Sequence, residues 1–318
     1  PPPSTNIQVN PYWVNEYNSK KETGKDAINK YNTKLGGEIK YSPSVHSTVD
    51  LTFNTDFAQA DADRQVNNLS RFSVFFPERR QFFLENAGLF DAGCETTFKP
   101  FFSRSIGLDD DGNPIPIDAG LRFTDKNNKY SLGALYIHQR RTENTQAANM
   151  SVLRFIKNYG TQNNIGMLVT NRIDEARDIL PTKTNSTVSV TGFNRLSNKL
   201  SLSYTVTGSK TSGSNKDDGL ATFTRMIYNS NGFAIYWNSS YISKSFNPRL
   251  GFVARNNFIK NYVDVYFIKR KLKWFPKFLR SWEPGLEIDV YQNPDNLKLQ
   301  EAYIGPYPVF LIFNNGTK

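Results

Sequence analysis

The chain has 318 residues, a single cysteine (Cys94) and no uninterrupted apolar run longer than that at residues 309–313. This excludes an intrachain disulfide and a membrane-spanning helix, which needs about 20 apolar residues. Aromatic residues reach 14% at a mean hydropathy of −0.54, and the formal net charge is +10.

High ring content with low hydropathy suits a membrane barrel, whose strands alternate between lipid and a polar lumen. A soluble β-sandwich or propeller would share that composition. The basic balance fits a nucleic acid, an anionic membrane surface or a basic pore lining. Two histidines, His46 and His138, without an HExxH or CxxC spacing give little support to a zinc site.

Residues 1–33 read as an N-terminal extension or linker; the opening Pro1-Pro2-Pro3 suggests a processed or trimmed segment. A β-barrel region is expected over residues 34–318. Its first alternating stretch sets Val49, Leu51 and Phe53 against Asp50, Thr52 and Asn54. Residues 56–104 break the pattern. This block is dense in Phe, Arg and carboxylates, residues 58–69 read as a short helix, and Pro77 interrupts the stretch beyond it. The block is expected to fold inward as a plug-like insert, where charges must be paired or wet.

Asp109-Asp110-Asp111-Gly112-Asn113 lacks the ligand spacing of an EF-hand and reads as a solvated turn, with calcium a minor alternative. Residues 124–129 and 195–199 carry hairpin-turn chemistry. Between them, Leu132, Ala134 and Tyr136 share one strand face, and beyond them Leu200, Leu202, Tyr204 and Val206 share another. The Gly-, Ser- and Lys-rich residues 208–219 read as a long extramembrane loop. Short turns alternating with long loops are what the two sides of an outer-membrane barrel present.

Alternation resumes at Val263, Val265 and Phe267 and at Leu286, Ile288 and Val290. Between these, residues 269–280 interleave cations with rings. Such text fits single-stranded nucleic acid, or a membrane interface with Trp274, Phe275 and Trp282 in an aromatic girdle. No sequence repeat of the propeller or solenoid kind is present.

Residues 54–63 (NTDFAQADAD), 67–72 (NNLSRF), 75–85 (FFPERRQFFLE) and 100–107 (PFFSRSIG) resemble the domain-of-unknown-function 5916 family, as does the later FNPRLGFV at 246–253. Family members read close to NPDFxQVEAD, NLTRFxxFFPEKRxFFLE, FFSRRIG and FNPExGFV. Thr55, Ala60 and Ser105 are mild departures. The resemblance implies a Bacteroidota-type outer-membrane β-barrel, often preceded by a carbohydrate-binding-like module and usually longer than this chain. It implies no catalytic residues.

The expected fold is therefore all-β: an antiparallel transmembrane outer-membrane β-barrel, incomplete in this chain, with a lumen-inserted non-alternating segment. Asp56, Asp61, Asp63, Glu78 and Glu85 sit with Arg64, Arg71, Arg79, Arg80 and Arg104, either as a structural ion-pair network or as a lumenal ligand site. The expected role is a channel or a subunit of a larger envelope assembly in the bacterial outer membrane. Its expected partners are lipid, lipopolysaccharide and other envelope proteins; no nucleic acid, cofactor or metal is expected. No P-loop, GxSxG or Rossmann motif occurs, so the chain is expected not to be an enzyme. The alternatives are a surface carbohydrate-active hydrolase with two converging carboxylates, and a basic nucleic-acid binder.

Overall fold

The computed structural model describes residues 6–20, 28–55, 75–108, 115–143, 145–212, 218–270, 275–315 and 317. β1 (Ile7–Lys20) and β2 (Ile28–Tyr41) form a long hairpin, and β3 (Ser47–Thr55) pairs with the far end of β2. Two one-turn helices come next, α1 (Gln81–Leu84) and α2 (Ala87–Phe90), then the two-residue β4 (Phe98–Lys99) and a 3-10 turn at Ser103–Ser105. Regular hairpins run through β5 (Ile117–Lys126), β6 (Tyr130–Gln139), β7 (Ala148–Tyr159), β8 (Asn163–Asp174), β9 (Lys183–Arg195) and β10 (Leu200–Ser212). They continue in β11 (Asp218–Asn229) and β12 (Phe233–Ile242), then β13 (Phe252–Val253), β14 (Phe258–Phe267) and β15 (Lys269–Arg270). Last come β16 (Leu279–Trp282), β17 (Gly285–Gln292), β18 (Leu299–Tyr307) and β19 (Leu311–Phe313).

Fourteen strands make one antiparallel meander, β1-β2-β3-β5-β6-β7-β8-β9-β10-β11-β12-β14-β17-β18. The all-β, antiparallel expectation holds. Among the described residues no pairing joins β1 to β18, so the sheet is not closed. Two small sheets accompany it, β13 with β4, and β15-β16-β19.

In β9 and β10 the two faces of the meander have opposite chemistry. Along β9, Thr187 and Ser189 are 0% exposed, whereas their neighbours Val188 and Val190 are 46% and 44% exposed. The same inversion holds in β10, where Thr205, Thr207, Ser209 and Thr211 are buried and Val206 is exposed. In β7 and β8 the outward set includes Leu153, Phe155, Ile165 and Met167. Neighbouring polar side chains help to satisfy one another: the Thr207 hydroxyl donates to Ser189 at 3.0 Å and the Asn185 amide donates to Thr211 at 2.9 Å. A sheet in water turns its apolar side chains inward. β9 and β10 turn theirs outward, whereas β6, β7 and β8 carry apolar residues on both faces, with Leu135, Ile137, Met150, Val152 and Leu168 inward.

Connections differ at the two ends. At one end lie residues 127–129, 160–162, 196–199 and 230–232, all tight turns between adjacent strands. Asn127 closes the first by accepting from the backbone N–H of Lys129 and Tyr130, and Ser197 closes the third by accepting from Lys199 and Leu200. These turns fall where the hairpin chemistry predicts. The opposite end carries longer connections, at 140–147, 175–182 and 243–257, and the longest, at 56–116; the long 268–284 connection is the exception, since it leaves β14 at the turn end, beside residues 230–232.

Two expectations need correction. Within residues 1–33, expected as an extension or linker, residues 7–20 form β1 and 28–33 the first part of β2, joined by a continuous register from Ile7↔Tyr41 to Lys20↔Ile28. Their Asn- and Lys-rich text hides the strand pattern because both faces of this hairpin carry polar residues. Residues 208–219 are not a long loop either, since β10 runs to Ser212 and Lys210 already pairs with Asp218 of β11. Backbone pairing there overrides the low strand propensity of Gly, Ser and Lys. The expected helix at 58–69 and the Asp109–Asn113 turn lie outside the described residues.

Candidate functional site: an interior segment held by paired charges

The buried face of the meander is covered by two stretches of chain far apart in sequence. The first, residues 75–107, holds α1, α2, β4 and the 3-10 turn. Its Phe82, Phe83, Phe90, Phe101 and Ile106 pack against Leu135, Ile137, Met150, Val152 and Leu168 of β6, β7 and β8. The second, residues 244–257, holds β13, which pairs with β4 as Phe252↔Lys99 and Val253↔Phe98. Phe102 donates its N–H to Leu250 at 2.7 Å and Ala254 donates to Thr97 at 3.0 Å. The Phe98 and Phe246 rings meet edge to face, 5.4 Å between centroids, above Ala221, Phe223, Ile242 and Phe258. Each such buried aromatic contributes about 1.5–3 kcal/mol.

Gly251 allows this junction. A Cβ there would run into the carbonyl oxygens of Lys99 and Pro100. The FFPERR, FFSRSIG and FNPRLGFV elements, which the sequence shows only as separate strings, thus meet in one interior assembly.

Charges fix the assembly in two places. Arg80, almost fully buried, donates Nε to Glu78 Oε1 at 2.8 Å and Nη2 to Glu78 Oε2 at 2.7 Å. Its Nη1 and Nη2 also reach the carbonyls of Ile106 (2.6 Å) and Ser103 (2.7 Å), which ties FFPERR to FFSRSIG. Glu78 accepts further bonds from the backbone N–H of Arg79 and Arg80 and from the Ser103 hydroxyl. Burial would raise the Glu78 carboxyl, but these bonds and the Arg80 charge outweigh it and hold the group below its ordinary value. It is an anion at neutral pH, with both oxygens engaged.

The second fastening joins the segment to the wall. Arg122, inward on β5, donates Nε and Nη2 to Asp50 of β3 at 3.0 and 2.7 Å. It also donates to the carbonyl of Phe82, to that of Glu85 at 2.7 Å, and to the Glu85 carboxylate at 3.1 Å. Lys40 of β2 completes the cluster on Glu85. The Glu85 carboxyl is pushed up by burial and pulled further down by Lys40 and Arg122, so it too titrates below its usual range.

The expected cluster therefore splits in two. Glu78 and Arg80 share one network, and Glu85 belongs to the other. Arg79 is exposed, and its backbone rather than its side chain binds Glu78. Arg104 sits apart, against the Phe76 ring and the Pro77 carbonyl. Asp56, Asp61, Asp63, Arg64 and Arg71 lie outside the described residues, as does Trp274. Phe275 and Trp282 are half-buried; Trp282 lies in β16 and donates Nε1 to Pro308 at 2.8 Å. Lys40, Asp50 and Arg122 were missed by sequence reasoning. Their only signal is a charge at an inward position of a strand, which becomes visible once the register is known.

The family model described as "Domain of unknown function (DUF5916)" matches residues 3–132. That stretch belongs to the domain-of-unknown-function 5916 family. The match covers β1 to β5 and the first interior stretch, while the FNPRLGFV element at 246–253 lies beyond it. No curated protein is similar in sequence.

Among solved structures the chain is similar to OmpT (in-vitro folded), an outer membrane protein of Vibrio cholerae. The identity is 11% over 93% of this chain and 92% of that one, with a TM-score of 0.37. It is also similar to OccK11 (OpdR) of Pseudomonas aeruginosa, at 9% identity over 95% of this chain and 86% of that one, with a TM-score of 0.35. At these scores neither likeness decides anything about the chain. The expectation that it is not an enzyme is withdrawn: it rested only on missing motifs, and enzymatic status is not established.

Proposed function

We propose that the chain forms the wall of an outer-membrane β-barrel channel whose lumen is occluded by residues 75–107 and 244–257. The reversed polarity of β9 and β10, together with the exposed apolar residues of β7 and β8, carries this reading. Val188, Val190, Val206, Leu153 and Phe155 face outward, and Thr187, Ser189, Thr207 and Ser209 face inward. Outward apolar groups have a favourable environment in lipid, and an inward hydroxyl lining suits a wet or polar-packed lumen. The tight turns at 127–129, 160–162, 196–199 and 230–232 share one end, and the connections at 56–116, 140–147, 175–182 and 243–257 share the other, a bias that fits the two sides of such a barrel, with 268–284 as an exception at the turn end.

Occlusion is a consequence of the packing. The interior stretches touch inward residues from Asp50 on β3 through to Phe258 on β14. A solute crossing that part of the lumen requires them to move. The test is fractionation followed by planar-bilayer recording. The protein is expected in the outer-membrane fraction, with heat-modifiable migration and low basal conductance that rises in Arg122→Met. Recovery as a monodisperse protein in detergent-free buffer would sink the proposal.

A further inference from the structure

Beyond the interior segment lies a second feature, at the end that carries the long connections. A cavity of about 910 Å³ opens between the 3-10 turn, the ends of β6 and β8, and the 247–253 stretch. Among the described residues lining it, five are cationic and one is a carboxylate. Arg172 and Arg249 converge on that carboxylate, Asp174, with Arg172 Nε 2.8 Å from it. Arg177, Lys183 and Arg104 complete the cationic lining. Arg177 is positioned by a bond from Nη1 to the Thr142 carbonyl at 2.9 Å.

An independent observation points to a ligand. Gln139, at the inward end of β6, lines the same cavity and is 0% exposed, yet neither its amide nitrogen nor its amide oxygen has a hydrogen-bond partner. A buried amide left unpaired costs about 1–3 kcal/mol. Its persistence at the cavity wall is accounted for if something in the cavity bonds to it.

We propose that this cavity binds a small multivalent oxyanion, a compound with two or more carboxylate or phosphate groups. The space is too large for a single monovalent anion. Guanidinium groups suit forked oxygens better than any other side chain, and Gln139 supplies a neutral donor and acceptor at the wall. The site is independent of the channel reading, because a protein that conducts nothing would still bind.

The test uses the full chain folded in detergent micelles, with folding checked by heat-modifiable migration. Citrate and inorganic pyrophosphate are titrated calorimetrically, with maltotriose as the neutral control. Saturable binding of at least one anion is expected, weakened by added salt and absent for maltotriose. Arg172 and Arg249 are left intact, because losing either disturbs the buried Asp174. Arg177→Gln and Lys183→Gln are each expected to weaken binding about tenfold, the loss of one charge-assisted bond. Gln139→Leu is expected to weaken binding while raising the thermal midpoint of the unliganded protein, a pairing that a merely structural role would not give. Folded protein that gives no saturable heat with either anion would overturn the proposal. So would affinities unchanged in both charge variants.

Discussion

Glu78 and Arg80, two residues apart, bind each other through parallel hydrogen bonds of 2.8 and 2.7 Å, with side chains only 8% and 6% exposed. Removing one partner leaves the other as an uncompensated buried charge. Arg80→Met is therefore expected to cost about 3–5 kcal/mol of stability. The double variant Glu78→Gln, Arg80→Met should be less destabilised than the sum of the single changes. Equilibrium unfolding of the four proteins in one detergent gives the coupling directly.

Acid should loosen the interior segment. Glu78 and Glu85 both titrate below 4.5 in the folded protein. A depressed folded pKa means that the stabilisation is present above the unfolded value and is lost as pH falls through the folded one. The unfolding midpoint of the wild type is expected to drop as pH is lowered past 4.5. Glu78→Gln, Glu85→Gln, less stable at neutral pH, should lose less, so the two pH profiles converge.

Gly251 should not tolerate a side chain, because Lys99 and Pro100 carbonyls occupy the place of its Cβ. Gly251→Ala is expected to separate the 244–257 stretch from β4 and expose both to protease. Limited proteolysis of folded protein should cut the variant near β13 faster than the wild type, while the tight turns at 127–129, 160–162 and 196–199 stay resistant.

Much of the wall was legible in the sequence because a period of two is local. Leu200, Leu202 and Val206, or Leu286, Ile288 and Val290, declare their common face without knowledge of any neighbour. Asn127 and Ser197 mark their turns by chemistry that reaches only two or three residues. The Phe–Arg block announced itself by failing to alternate. What it binds was not legible. That Arg122 reaches Phe82 and Glu85, or that Phe246 meets Phe98, depends on the curvature of the whole sheet. No periodicity encodes that. β1 and β2 were missed although Ile7, Val9, Trp13 and Tyr17 alternate and lie opposite Tyr41, Ile39, Leu35 and Tyr31, because the Asn, Lys and Pro set among them obscure the period.

Substitutions on the two faces of β9 should differ in sign from those in a soluble sheet. Val190→Arg, outward near mid-strand, is expected to cost about 2–4 kcal/mol in a bilayer. Thr187→Val, inward with a hydroxyl that has no partner, should be near neutral or stabilising. Folding titrations in lipid vesicles measure both.

The outward face in lipid is the central claim, and the most direct test is a residue-by-residue accessibility scan along β9. Spin labels are placed singly at residues 187–191 in a Cys94→Ser background, in vesicles, and relaxed by oxygen or by a water-soluble nickel complex. Labels at 188 and 190 should respond to oxygen, and those at 187, 189 and 191 should be shielded from it. Strong nickel relaxation at 188 and 190 would place the valines in water and contradict the account.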